Sequence, residues 1–325
     1  MWRYNLSKSQ IEKAKKFIAG KNKTQPNFMK KYKGTIKNGK LFLDDRQVIP
    51  KDQEEEYLRK KVLGGRVPMT RDGLYYFLSK ITVGISRASI DKFLKAQHII
   101  RETDNIQPST KKASRKVNKK GQIEFDLVEI NWRDLGFTPT IDWKALNMEP
   151  TAEQRQAGYI FTVADALTGL LFAKFSPTKT HQHITPIAKE GFAWLSEKMD
   201  TPLSKMHGLS DKGDEFNFKL YKKWGLRTKQ VARAPLIEQK NSQFQRALYR
   251  VAKMKNTKSI HKLVKDSMMI VNRTQSSLTK VAPIEASSAP PEELAKKYNK
   301  RRGKDWGTKI KARPLKIGAL VGLMI

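Results

Sequence analysis

Apolar residues in this chain recur at two spacings, and the switch between them predicts where helices and strands lie. In SKSQIEKAKKFIA, Ile11, Ala14, Phe17 and Ile18 repeat at helical spacing behind a serine cap. NGKLFLDDRQVI reads as a hairpin: an Asn-Gly turn, Leu41 and Leu43 alternating, then a second short strand. KDQEEEYLRKKVL begins another helix. In TRDGLYYFLSKITVGISRASIDKFLKAQHII, Leu74, Phe77 and Leu78 mark one helix, and Ile90, Phe93 and Leu94 a second behind Ser86. Such a helix-turn-helix can enter a major groove with its second helix, or can simply pack beneath a basic surface. The pattern leaves both open.

From Gly121 the spacing changes. GQIEFDLVEI is strand-like, and GYIFTVADALTGLLFAKFSP gives two adjoining strands around Leu167-Thr168-Gly169. HQHITPIAKEGFAWLSEKM reads as a helix with Ile187, Phe192 and Leu195 on one side. MHGLSD is a short strand ending at Asp211, and FNFKLYKKWGL a helix closed by Gly225. RTKQVARAP is a strand or loop, and a helix carrying Glu238 follows. Three antiparallel strands, a helix, a further strand and more helices make an α/β chain in the ribonuclease H-like order. The expected division is a basic extension (1–65), a helical domain (66–105), a basic linker (106–120), the α/β core (121–275) and a C-terminal tail (276–325).

Charge narrows the partners. The formal net charge is +34 and the pI about 10.1, so a polyanion is expected, because each neutralised phosphate releases condensed counterions. A ribosomal or packaging protein would satisfy the same charge. Between Lys111 and Lys120 six residues are basic and none acidic, a tether that finds phosphates through Lys111, Lys112, Arg115 and Lys116 and can double as a nuclear localisation signal. The absence of cysteine excludes disulfides and thiolate-bound zinc. The five histidines form no metal-ligand motif, so no zinc is expected. No apolar run is long enough to span a membrane, so no membrane partner is expected. The basic N-terminus lacks the apolar core of a secretory signal.

Three carboxylates change the picture. Asp126 interrupts an apolar strand, Asp211 precedes a glycine turn at Gly213, and Glu238 sits near the start of a helix. Carboxylates at the ends of separate elements suit Mg²⁺ or Mn²⁺, which leave coordination positions open for phosphate oxygens and water. Two such ions, roughly 3.5–4 Å apart, clamp the attacking and leaving oxygens of a phosphodiester displacement. Asp165 is the main rival to Asp126; a turn residue is its plainer reading. Lys212, Lys240 and Arg246 flank the trio and suit phosphate contacts.

FDLVEI, YIFTVADALTG, SDKGDEF and APLIEQKNSQFQRAL, in that order, resemble the signature stretches of the retroviral-type (DDE) integrase core, with the closest likeness to integrases of Polinton/Maverick elements and virophages. GLYYFLSKITVGISRASIDKFLKAQHI resembles their helical N-terminal domain, APIEASSAPPEELAKKYNKRR their segment after the core, and RPLKIGALVGLMI the start of their small SH3-like or chromo-like barrel. The resemblance implies that Asp126, Asp211 and Glu238 are the catalytic, metal-binding carboxylates and that Asn241 lies near DNA. It implies a multimer acting on element ends and target DNA, by 3′-end processing and strand transfer, in a nucleus, viral factory or virion. The chain also departs from the family: it lacks the zinc-binding cysteines, only 26 residues separate Asp211 from Glu238, Gly318-Ala319 replaces a Gly-Asp, and the barrel pattern stops at Ile325. These departures fit a non-catalytic, domesticated copy: a structural nucleic-acid-binding component, with RNA as a partner in an organelle ribonucleoprotein or a place in a viral particle.

Overall fold

The computed structural model describes residues 6–30, 32–64, 66–97, 117, 119–211, 215–231, 234–254 and 257–307. It begins with α1 (Lys8–Ile18), capped by Ser7 in a reciprocal arrangement with Gln10. Strands β1 (Gly34–Lys37), β2 (Lys40–Leu43) and β3 (Arg46–Val48) form a meander. Its two turns, Asn38-Gly39 and Asp44-Asp45, carry positive φ at both central residues, the twist that suits a two-residue hairpin. Leu41 and Leu43 bury against Ile11 and Ala14. The sequence pattern shows the Asn-Gly turn, but not that strands flank both turns.

Three helices follow: α2 (Glu54–Leu63), α3 (Arg71–Leu78) and α4 (Arg87–Ala96). Leu58, Val62, Leu74, Leu78, Ile90, Phe93 and Leu94 form their shared core. Ser86 caps α4, as the pattern predicts. Between α3 and α4, β4 (Thr82–Val83) pairs in parallel with β3. One sheet therefore spans the expected division at residue 65. This unit docks on the rest of the chain through Arg66, whose Nε lies 2.8 Å from the buried Asp266 carboxylate.

The larger sheet holds β5 (Gln122–Asn131), β6 (Ala157–Asp165), β7 (Leu171–Ser176), β8 (His207–Ser210) and β9 (Arg227–Gln230), with α5 (Trp132–Leu135) after β5. Its order is β7-β6-β5-β8-β9. The first three strands are antiparallel, and β8 and β9 run parallel to β5. This is the ribonuclease H-like order. Helices α6 (His181–Met199) and α7 (Phe218–Lys223) cover one face, where Phe125, Phe161, Phe192, Phe216 and Tyr221 meet edge to face. Helices α8 (Pro235–Met254) and α9 (Ile260–Arg273) cover the other. The edge of β7 is closed by the buried Asn272 of α9, which accepts from the Leu171 N–H (2.9 Å) and donates to its C=O (2.7 Å).

The tail continues as α10 (Pro283–Ala286) and α11 (Pro291–Gly307). Residues 313–325, with the barrel-like pattern, and the basic block with Lys111, Lys112, Arg115 and Lys116 lie outside the described residues.

Candidate metal and nucleic-acid site

Strand alternation sets the site. Ile123, Phe125 and Leu127 face α6 and α7, while Val128 and Ile130 face α8 and α9. A period of two puts Glu124 and Asp126 on that second face as well. Two acids thus occupy positions whose neighbours along the strand are core residues.

Each is met by α8. Glu124, 5% exposed, accepts through Oε2 from the backbone N–H groups of Leu236 (2.9 Å) and Ile237 (3.1 Å). These are free donors of the first helical turn, where a negative charge is also favoured by the helix dipole. Asp126 accepts from Asn241 Nδ2 at 2.7 Å and from the Leu127 N–H at 2.8 Å. Asn241 Oδ1 in turn accepts from Thr162 Oγ1 at 2.8 Å, and Thr162 is the β6 residue directly opposite Asp126. Asn241 is buried and its amide meets the Asp126 carboxylate. Asn241 follows Glu238 by three residues, less than one turn, so both project from the same side of α8.

Asp211 reaches the site along β8. The β5–β8 pairing aligns Glu124 with Leu209, and two residues further that register brings Asp211 level with Asp126. Asp211 is exposed just past the strand end, and Glu238 is half-buried in the first turn of α8. Burial raises the Asp126 carboxyl to about 6, and the charges of Asp211, Glu215 and Glu238 add to it. Glu215 is a fourth acid that the sequence pattern did not single out. Its signal was its place in the acidic stretch just after Asp211.

Asp165 is a different kind of group. It is fully buried and accepts from the N–H groups of Gly121, Leu167 and Thr168 and from the Thr168 hydroxyl. With its acceptors filled it ties the β6–β7 turn to the start of β5, the turn-residue reading.

The flanking cations separate. Lys240 is buried against Gly169, with burial pushing its pKa down to about 8. Two residues beyond Glu238 on a helix is about 200° around the axis, so Lys240 turns away from the trio instead of flanking it. Arg246 lies two turns further along α8 and donates to the Ser242 carbonyl. Lys212 and Gly213 lie outside the described residues.

Among the described residues no three His or acidic side chains stand close enough together to enclose a metal ion. The donor chemistry nonetheless fits a divalent cation. Asp211, Glu215 and Glu238 all bear on the half-buried Asp126 carboxylate. Asp126, Asp211 and Glu238 are the groups that would hold the ion.

The sequence matches no known protein-family model and no curated protein. Solved structures similar to the chain include the HTLV-2 integrase catalytic core domain in complex with magnesium, in a trimeric form (10% identity, 53% of this chain, 99% of that chain, TM-score 0.39). Its dimeric form is similar at 10% identity, with 53% and 99% covered and a TM-score of 0.38. The simian T-cell lymphotropic virus intasome in complex with PP2A regulatory subunit B56 gamma is similar at 11% identity, with 72% of each chain covered and a TM-score of 0.48. Likenesses this distant carry no argument, so the fold rests on strand order and register.

Replacing Glu124 by Ala strands two buried helix N–H groups, an expected loss of about 2–4 kcal/mol in denaturant unfolding, whereas Gln, which keeps an acceptor, recovers at least half. Equal stability of the Ala variant and the parent would contradict the capping role. Without metal, the Asp126 carboxyl should titrate near 6 when followed by carboxyl NMR. A proton held more tightly in the folded chain than in the unfolded one stabilises the fold at low pH. That contribution, at most about 3 kcal/mol, fades as pH rises from about 4 to about 6. Saturating Mg²⁺ should bring the midpoint below 4; an unchanged midpoint would separate Asp126 from any metal.

Proposed function

We propose that this chain is a metal-dependent polynucleotidyl transferase of the DDE integrase type, acting on DNA by 3′-end processing and strand transfer. The observation that carries the reading is the placement of Asp126 on β5, Asp211 just past the end of β8 and Glu238 in the first turn of α8, with the charges of the latter two bearing on the Asp126 carboxylate. The Asn241–Thr162 bridge, which fixes the Asp126 carboxylate, supports it. The order of the four sequence stretches that resemble integrases supports it from an independent direction.

Asp126, Asp211 and Glu238 would hold divalent cations, which when bound would supply Lewis acidity to the attacking and leaving oxygens of a phosphodiester displacement. The chain's own part is placement. Asp126 is held rigidly from the sheet, Asp211 is presented from an exposed strand end, and Glu238 comes from a helix whose first turn is anchored by Glu124. Placement of this kind converts a bimolecular attack into an oriented one. The charge of +34 suits a polyanionic substrate. At the opposite end of the parallel strands, a cleft of about 780 Å³ is bordered by Lys119, Lys120, Lys198, Lys205 and Arg227, with Asp200 as its acid. It suits a nucleic-acid backbone. Multimer formation across two DNA ends belongs to the same proposal.

Strand transfer of a labelled duplex in Mn²⁺ tests it, with the parent beside Glu238→Gln. Joining by the parent, reduced at least about a hundredfold in the variant, is the expected result. Salt-sensitive DNA or RNA binding by both, with neither nicking nor joining by either, would replace it with a non-catalytic nucleic-acid-binding role.

A further inference from the structure

Lys240 stands out among the charged side chains. Its side chain is 8% exposed, and no hydrogen-bond or ion-pair acceptor meets its ammonium among the described residues. An isolated buried charge is costly, and an apolar side chain of similar length would fill the position without that cost. The ammonium lies beside Gly169, where a methyl group in place of the glycine hydrogen would come within 2.9 Å of Nζ. Gly169 sits in the β6–β7 turn at φ +70°, a conformation glycine adopts freely. The turn thus leaves room for the ammonium at a wall of a cavity.

That cavity has a volume of about 190 Å³ and lies between the β6–β7 turn, α8 and the segment after α9. Gln239, Gln243, Gln275 and Ser276 line it with Lys240. No acid lines it. Gln275 spends one amide hydrogen on the Lys280 carbonyl, at 2.7 Å, and keeps a second. Ser276 Oγ accepts from Leu278 and Thr279 N–H groups, which leaves its hydroxyl hydrogen to donate. The cavity therefore offers a cation with three N–H donors and a ring of neutral donors, without a competing carboxylate. A tetrahedral oxyanion is complementary to this set: it brings several acceptors and neutralises the charge.

We propose that this cavity is a phosphate-binding site, with Lys240 as its ion partner and Gln239, Gln243, Gln275 and Ser276 as its donors. The phosphate is either free or the terminal phosphate of a nucleic-acid strand, and the chemistry of recognition is the same for both. Because Lys240 turns away from Glu238, the site is separate from the carboxylates and stands whether or not they catalyse.

Thermal unfolding of the full chain, without divalent metal and at constant ionic strength, reads the site. Inorganic phosphate at millimolar concentration should raise the Tm of the parent by at least about 2 °C over chloride. Lys240→Met should keep or raise the basal Tm and lose that increment, and Gln243→Leu, which leaves the ammonium in place, should at least halve it. A 5′-phosphorylated dinucleotide compared with its 5′-hydroxyl form separates the sources. A larger increment from the phosphorylated form than from free phosphate identifies a strand end, and an equal one identifies free phosphate. The proposal is overturned if phosphate stabilises Lys240→Met as much as the parent, if acetate stabilises the parent as much as phosphate does, or if phosphate gives the parent no increment. Should Lys240→Met not fold, an undiminished increment in Gln243→Leu overturns it instead.

Discussion

A carboxylate on the core-facing side of a strand must be given hydrogen bonds or it weakens the fold, and β5 meets this constraint twice. Glu124 is satisfied by the first turn of α8, and Asp126 by Asn241 from the next turn of the same helix. These contacts fix the position of α8 along β5, and with it the place of Glu238. The site is thus held by the same bonds that make the buried acids tolerable. For Asp126 a cost remains, since desolvation and three neighbouring acids all raise its pKa. That residual cost is what a bound cation would remove.

Much of the frame was legible in the sequence. The alternation in GQIEFDLVEI, the turn at Leu167-Thr168-Gly169 and the strand ending at Asp211 led to the observed strand order, because each strand's pattern is set by which faces it buries. The caps at Ser7 and Ser86 were legible for the same local reason. What sequence spacing left open was what tertiary contact decides. Asp165 and Asp126 both interrupt apolar strands, and only the convergence of Gly121, Leu167 and Thr168 on Asp165 separates a turn residue from a site residue. Glu124 carried a usable signal, since it shares Asp126's face two residues earlier. Glu215 carried a weaker one, its place four residues after Asp211. Helix phase separates Lys240 from Asn241: three residues from Glu238 stays on its side, and two residues crosses to the other.

The acids and the bases occupy different parts of the molecule. Asp211 and Glu215 lie past the end of β8, the basic cleft lies at the starts of β8 and β9, and Lys240 faces a small cavity on the far side of α8. A chain of net charge +34 will bind polyanions over much of its surface. What distinguishes these places is local: acids that bear on a half-buried carboxylate in one, and in another a buried lysine that meets no acid among the described residues.

The most direct test of the central claim is a crystal of the protein soaked in Mn²⁺, with the ion located by its anomalous scattering. Density bounded by Asp126, Asp211 and Glu238, lost in Glu238→Gln, is the expected result. Mn²⁺ bound elsewhere, with these three carboxylates bare at saturating concentration, would contradict it.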